Sequence, residues 1–319
     1  MIPLDTPWIY LFNLLPRLVT PGQLPPECDI DFYRGIHDDL AQFSDDELRA
    51  HFRNHGIQEG RIGSPAAHRA GFLATIPDGD CLEIGPFTKP ALRGARVKYL
   101  DVLDRTGLLE RAAKHGYPLE TAVDIDFVSP TGRLEVVPDR SFDVVFSSHC
   151  IEHQPDLVRH LSDIERVLRP GGAYFLIVPD KRYCFDQSLD CSDLDQIIAA
   201  YNERRTVHTK EAVVRHYAYT THSHSIRHWC GDHEDPHKDK RAERLRGAEK
   251  RYADVAGAYL DVHAWQFTPS SFREILTRLR RAGLTNLKPE RVYETVWGQL
   301  EFMAVLRKAT WSDKLNPFR

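Results

Sequence analysis

Two short apolar runs, Cys81-Leu-Glu-Ile and Val97-Lys-Tyr-Leu, each lead directly into a glycine or an acid, at Gly85 and Asp101. A buried parallel strand delivers a ligand-binding loop at its C-terminal edge in this way, so the pair points to an open α/β sheet with a ligand at that edge. Gly85 lets backbone approach a ligand where a Cβ would collide, and Glu83 brings a carboxylate to the same loop. Asp101 closes the second strand, where an acid accepts hydrogen bonds from both hydroxyls of a ribose. A phosphate-binding loop wants several glycines, exposed N–H groups and often a lysine. This chain offers one glycine, followed by Pro86, which has no N–H. The site therefore suits a nucleoside without a pyrophosphate.

S-adenosylmethionine is a common cofactor of that description, and the rest of the chain points the same way. Leu82-Glu-Ile-Gly85, Asp101, Val123-Asp-Ile-Asp126, Ser141-Phe-Asp-Val-Val-Phe-Ser-Ser-His-Cys-Ile-Glu-His153 and Val167-Leu-Arg-Pro-Gly-Gly172 follow one another along the chain. Their order and spacing resemble those of class I S-adenosylmethionine-dependent methyltransferases of the type 11 kind, closely over residues 70–180 and more loosely over 260–308. The resemblance implies an α/β, Rossmann-like seven-stranded sheet whose last strand is reversed. It places Glu83, Gly85, Pro86, Asp101, Asp126, Ser148 and His149 at the cofactor, with Asp126 offering a carboxylate to the adenine amino group. One departure stands out. Eleven residues separate Gly85 from Val97, with Pro90 and Gly94 among them, so the first helix of that fold must be very short or absent.

At 319 residues with 42% apolar composition the chain can bury a full core and carry additions, since single cores stop growing near ~250–300 residues. A net charge of -4 gives no basic field for nucleic acid. The six cysteines, at 28, 81, 150, 184, 191 and 230, form no C-x-x-C pair and read as free thiols of a cytoplasmic protein. Trp8-Ile-Tyr-Leu-Phe-Asn-Leu-Leu15 lacks a basic flank and is too short to span a bilayer. It reads as a segment folded onto the protein surface, with membrane-surface or partner docking as the alternative.

Three regions follow from the punctuation: 1–28 as an amino-terminal segment and proline-rich linker, 29–64 as a small helical module, and 65–319 as the methyltransferase domain. In the module, Ser44 and Glu47 form a capping-box pattern, and His55-Gly56 is expected to stop the helix. Its pattern Phe32-Tyr33, His37-Asp-Asp-Leu40, Glu47-Leu48, His51-Phe52, His55-Gly56 and Glu59-Gly60-Arg61 resembles a short module found beside bacterial glycosyltransferases. That resemblance implies a glycan-assembly partner; the alternative is a plain helical cap.

Within the domain, strand three is expected at 122–125 ending at Asp126, strand four at 142–146 and strand five at 174–178. Residues 180–260 exceed the minimal fold and are expected to lie over the acceptor pocket as a lid. They hold two helical runs, at 194–205 and 211–219, a cluster of His222, His224, His228, His233 and His237, and a basic run over 238–251 that reads as a solvated face. Thr268-Pro269 opens a last amphipathic helix, and 287–293 with 300–306 form a hairpin through Gly298. That hairpin separates the reading from a plain dinucleotide-binding oxidoreductase.

Transfer of a methyl group from a sulfonium needs alignment, and an alcohol acceptor also needs a base of near-neutral pKa. His153, beside the cofactor loop, and His228, in the insertion, are the candidate catalytic residues, and no metal is expected. The alternative, a divalent ion in the histidine cluster, meets spacings that fit no familiar site. The function expected is O-methylation of a sugar or sugar-linked acceptor in surface polysaccharide biosynthesis. The alternatives are a small-molecule O- or N-methyltransferase of secondary metabolism and a catalytically silent glycan-assembly scaffold.

Overall fold

A computed structural model describes residues 28–310, so the amino-terminal segment with its Trp8 to Leu15 run and most of its linker lie outside the described residues. Seven strands form one sheet: β1 (Cys81–Ile84), β2 (Val97–Asp101), β3 (Phe127–Val128), β4 (Phe142–Ser148), β5 (Leu168–Pro179), β6 (Leu287–Val292) and β7 (Glu301–Lys308). Their order is β3-β2-β1-β4-β5-β7-β6. The first five are parallel, while β7 runs antiparallel between β5 and β6. This is the expected seven-stranded α/β sheet with its last strand reversed.

Alternation along the strands sorts the core onto two faces. On one, Leu82, Val145, Leu176 and Ala304 pack beneath the helices Leu157–Val167 (α5) and Pro269–Arg281 (α10). On the other, Cys81, Val144, Phe146, Phe175 and Val305 are covered by Phe72 of the short helix Arg69–Leu73 (α3) and by Leu92 of the β1–β2 connection. α5 starts on an Asp156 cap and α10 on a Thr268 cap with Pro269 at its first turn.

No helix joins β1 to β2; the connection is a series of turns. The buried Glu83 carboxylate holds it by accepting the Ala91 and Leu92 N–H groups at 2.8 and 2.9 Å. The next connection is a true helix, Arg105–His115 (α4), capped by Asp104 and stopped by Gly116 at φ 71°. β3 does not occupy 122–125. Only Phe127 and Val128 pair with β2, opposite Leu100 and Asp101. The Asp126 side chain turns back onto Tyr99 N at 3.0 Å and Lys98 Nζ at 2.7 Å, which delays pairing until Phe127.

The insertion holds Leu194–Asn202 (α6), Lys210–Ala218 (α7), Ser225–Trp229 (α8) and Arg241–Asp254 (α9). The basic run on α9 is only partly a wet face. Arg244 is folded inward, donating to the carbonyls of Tyr217 and Thr220 and pairing with Asp235 at 3.0 Å. The proposed lid is fastened as well: Trp229 stacks on Tyr183 at 3.8 Å and donates through Nε1 to Gln299 O, while the Ser225 hydroxyl donates to Gly298 O.

Residues 28–64 carry a core of their own, built from Ile30, Tyr33, Leu40, Leu48 and Phe52. Two helices, Ile30–Ile36 (α1) and Asp45–His51 (α2), frame it, and the Ser44–Glu47 capping box forms as expected. The helical run ends at Gly56 as expected, but not on a left-handed glycine cap. Instead α2 passes into a π turn over Phe52–Gly56, because Gly56 is where the backbone crosses the buried Tyr33 hydroxyl and leaves no room for a Cβ. Gly56→Ala is therefore expected to destabilise the module by ~1–3 kcal/mol, read as a lower denaturation midpoint; an unchanged midpoint would show that Tyr33 yields freely.

Candidate functional site: a cofactor edge and a buried acid–histidine cluster

The C-terminal ends of β1, β2 and β4 meet at one edge of the sheet. Gly85 is exposed there at φ +67°, and a Cβ on it would meet the Cys150 sulfur at 2.7 Å. Cys150 caps the end of β1, with its sulfur 3.4 Å from Ile84 O. Burial holds its thiol well above the usual range, so it stays protonated. Pro86 is buried behind the turn. The Asp101 carboxylate accepts from Phe87 N at 3.1 Å and Val102 N at 2.7 Å, tying the first loop to the second. Burial raises its pKa against the lowering effect of those two donors. A carboxylate has about four acceptor sites, so two remain for a ribose. Glu83 is turned inward to the connection it holds, and burial lifts its pKa to about 7 despite its two N–H partners.

Ser148 and His149 belong to a network the sequence did not reveal. Glu301, at the start of β7, accepts from Arg69 Nε at 2.7 Å and lies 2.7 Å from His149 Nε2. Arg69 also donates to the Ser148 hydroxyl at 2.9 Å. His149 adopts φ 53°, the left-handed region, which turns its ring toward β7. Burial works to raise the Glu301 pKa, but the His149 and Arg69 hydrogen bonds overcome it and bring it down to about 2.

Asp126 is not at this edge. It lies level with Tyr99, two residues back along β2 from Asp101, and its oxygens are engaged by Lys98 and Tyr99. The residue that leaves β3 at the level of Asp101 is Ser129, whose N–H donates to Asp101 O. Sequence reading placed the acid at the strand's end because the Ala-Val-Asp-Ile-Asp alternation mimics a strand.

Beyond β4 the chain builds a second group of side chains. Glu152 is completely buried and neither of its carboxylate oxygens has a hydrogen-bond partner. His153 Nε2 lies 3.7 Å from Glu152 Oε1, and its Nδ1 lies 2.9 Å from Asp261. His263 repeats the arrangement: Nε2 is 3.8 Å from Glu152 Oε1 and Nδ1 is 2.6 Å from Asp186. The return of the chain sets this register, since Ala264 N and Trp265 N both donate to Glu152 O and Trp265 Nε1 donates to Gln154 O. Burial acts against charge on His153, but Asp261 and Glu152 outweigh it and raise its pKa. Asp261 is correspondingly low, about 2, chiefly through His153. Only Glu152 and His153 of this group stand in a sequence motif; Asp186 comes from the start of the insertion, and Asp261 and His263 from just beyond its end.

His228 is elsewhere. It stacks on His222 at 4.0 Å, and both ring nitrogens are engaged, Nδ1 by His233 and Nε2 by His222 O. Burial lowers its pKa first of all. A groove of about 560 Å³ lined by Arg140, Arg159 and Lys308 lies at the opposite, N-terminal edge of the sheet, away from all these loops.

Residues 84–176 match the family model described as a methyltransferase domain. Residues 84–176 are thus a methyltransferase domain, and the reversed last strand and the glycine and acid at the sheet edge fit the class I S-adenosylmethionine-dependent fold. A comparison with curated proteins finds no match. Among solved structures, an S-adenosylmethionine-dependent methyltransferase from Mesorhizobium loti is 16% identical, covering 76% of this chain and 98% of its own, at a TM-score of 0.40. A Methanosarcina mazei methyltransferase is 18% identical over 76% of this chain and 98% of its own, at 0.36. The 1,6-didemethyltoxoflavin-N1-methyltransferase of Burkholderia thailandensis is 15% identical over 97% and 93%, at 0.37. These likenesses say nothing of the acceptor.

S-adenosylmethionine is the cofactor, and the exposed left-handed Gly85 and the half-used Asp101 carboxylate fit a nucleoside. Asp101→Ala is expected to weaken its binding by ~1.5–3 kcal/mol in calorimetry, whereas Asp126→Asn leaves it unchanged. A loss of equal size in Asp126→Asn would return that residue to the site. The Glu301 network makes a separate acid-dependence. Its folded pKa, about 2, lies below the ordinary 4.5, so its stabilisation is full above that value and lost as pH falls through about 2. Wild type is expected to exceed Glu301→Gln by on the order of 3 kcal/mol near neutrality, a gap that denaturant titrations should show shrinking with acid.

Proposed function

We propose that this methyltransferase transfers the methyl group to a hydroxyl of a carbohydrate or sugar-linked acceptor, in surface polysaccharide assembly. The observation that carries the hydroxyl is the Glu152–His153–His263 cluster beside the strand-four loop: buried Glu152 and His263 with half-buried His153, the imidazoles standing against Asp261 and Asp186. An alcohol must lose its proton as it attacks, which such a cluster serves and an already nucleophilic amine does not require. The sugar is supported by the resemblance of residues 29–64 to modules beside glycosyltransferases; docking through that module to a glycan-assembly partner belongs to the same reading.

The cofactor supplies a sulfonium whose methyl group is displaced in line. Asp101, the Gly85 turn and the Ser148–His149 loop hold it, while Pro86 shapes the turn. The acceptor oxygen bonds to the methyl carbon as the carbon–sulfur bond breaks, leaving a neutral thioether. The proton is taken within the cluster, at Nε2 of His153 or at the Glu152 carboxylate. Of the two histidines singled out in the sequence, His153 is the one placed for this; His228 has both nitrogens spent. All six cysteines are free, which supports a reducing cytoplasm. Among the described residues no helix is long and apolar enough to cross a membrane.

The test is a product assay with S-adenosylmethionine and nucleotide-linked, lipid-linked and free sugars beside small aromatic and amine acceptors. A methyl ether on a sugar is expected. His153→Ala should lose about 10²–10⁴ in turnover at saturating cofactor while keeping cofactor affinity. Methyl appearing on nitrogen or carbon overturns the hydroxyl assignment.

A further inference from the structure

We infer that Glu152, His153 and His263 form a binding site for a divalent transition-metal ion of the zinc or iron(II) kind. Each offers one ligand atom, and the three lie within 4.8 Å of one another. Two ligands on bonds of ~2.1 Å stand about 3.4 Å apart in a tetrahedral site. The Glu152 to histidine separations, 3.7 and 3.8 Å, are a few tenths wider, a gap small side-chain rotations close. Two imidazoles and one carboxylate are also a donor set that leaves coordination positions open.

Two independent features favour an ion over chance proximity. First, both histidines have Nδ1 beside a carboxylate: that of His263 is hydrogen-bonded to Asp186 at 2.6 Å, and that of His153 stands 2.9 Å from Asp261 as an ion pair out of hydrogen-bond alignment, which leaves Nε2 of each facing Glu152. That carboxylate–histidine relay is how metal-ligating imidazoles are held and tuned. Secondly, Glu152 is completely buried with both oxygens unpartnered, and Asp186, almost as buried, has Oδ1 unpartnered. Among the described residues, the ion pairs of Glu152 run to His149, His153 and His263, and that of Asp186 to His263. Buried carboxylates are retained when paired or coordinated to a metal. A divalent ion at Oε1 supplies the missing positive charge.

The inference deepens the hydroxyl-transfer reading in one respect only: the open positions suit neighbouring hydroxyls of the acceptor, with Glu152 Oε2 left to take the proton. Ion binding itself does not depend on that reading, so it is tested without acceptor or cofactor. The full-length protein, stripped with a chelator, is titrated with Co²⁺ and followed by its d–d absorption, then with Zn²⁺ as competitor. One equivalent of Co²⁺, displaced by Zn²⁺, is expected. Glu152→Gln and His263→Gln should lose the signal, and Asp261→Asn, whose side chain is largely exposed, should weaken it about 10–100-fold. A protonated Glu152 bonded to a histidine predicts no uptake by the folded wild type, and that result overturns the site. So does uptake that Asp261→Asn leaves unaltered, or that survives in a folded Glu152→Gln or His263→Gln protein, which would place the ion among His222, His228 and His233. Metal uptake together with N-methylation would sink the hydroxyl reading and leave the site standing.

Discussion

The pair of hydrogen bonds from Ala91 and Leu92 to the buried Glu83 carboxylate is the constraint around which the cofactor edge is arranged. In an ordinary parallel α/β unit a crossover helix both covers the sheet face and aims its N-terminus at the ligand. Here eleven residues must do the first task without a helix. Glu83 folds them across the sheet so that Leu92 reaches the core, and the covering is completed by Phe72 from upstream. The second task is then left without a helix dipole. A cofactor that is cationic at sulfur and has no pyrophosphate has little use for one, so the shortened connection and the chemistry of the ligand agree.

The same economy explains Asp101. Its two hydrogen bonds to Phe87 and Val102 stitch together the loops that a helix would otherwise keep in register. The residue thus serves the loop and keeps acceptor capacity for the ribose of the proposed site. Asp104, the other acid nearby, is occupied as the cap of α4, which leaves Asp101 as the acid on β2 with capacity to spare.

Much of this was legible in the chain. The buried strands were readable because both faces of a parallel sheet are covered, so Cys81–Ile84 and Phe142–Ser148 appear as continuous apolar runs. The absent helix followed from Pro90 and Gly94 in too short a span, and the reversed hairpin from its alternation around Gly298. β3 misled because it is an edge strand of two residues, and an Asp-rich alternation just upstream looked better than the true segment. Gly56 was rightly read as a stop, but the π turn that makes it was not legible, because a sequence does not show that Tyr33 crosses beneath it. The acid–histidine cluster was least accessible. Its members at 152, 153, 186, 261 and 263 share no spacing, and it takes bonds such as those from Ala264 and Trp265 to Glu152 and from His263 to Asp186 to bring them together. The dense histidines at 222–237 drew the eye instead, yet those side chains chiefly satisfy one another.

The bond from Arg69 to Glu301 joins residues 232 apart in sequence, and Ser148 and His149 hang from it. Chain synthesis delivers Arg69 well before Glu301, so the strand-four loop of a nascent chain emerges with its anchor still unmade. β7 must also thread between β5 and β6 before that anchor exists, and long-range pairing of this kind forms late. The first five strands are thus able to assemble while the loop after β4 is still unsupported, and its anchoring waits for β7. A truncation that spares every motif between residues 84 and 176 but removes the final hairpin would leave a recognisable sheet with no working edge.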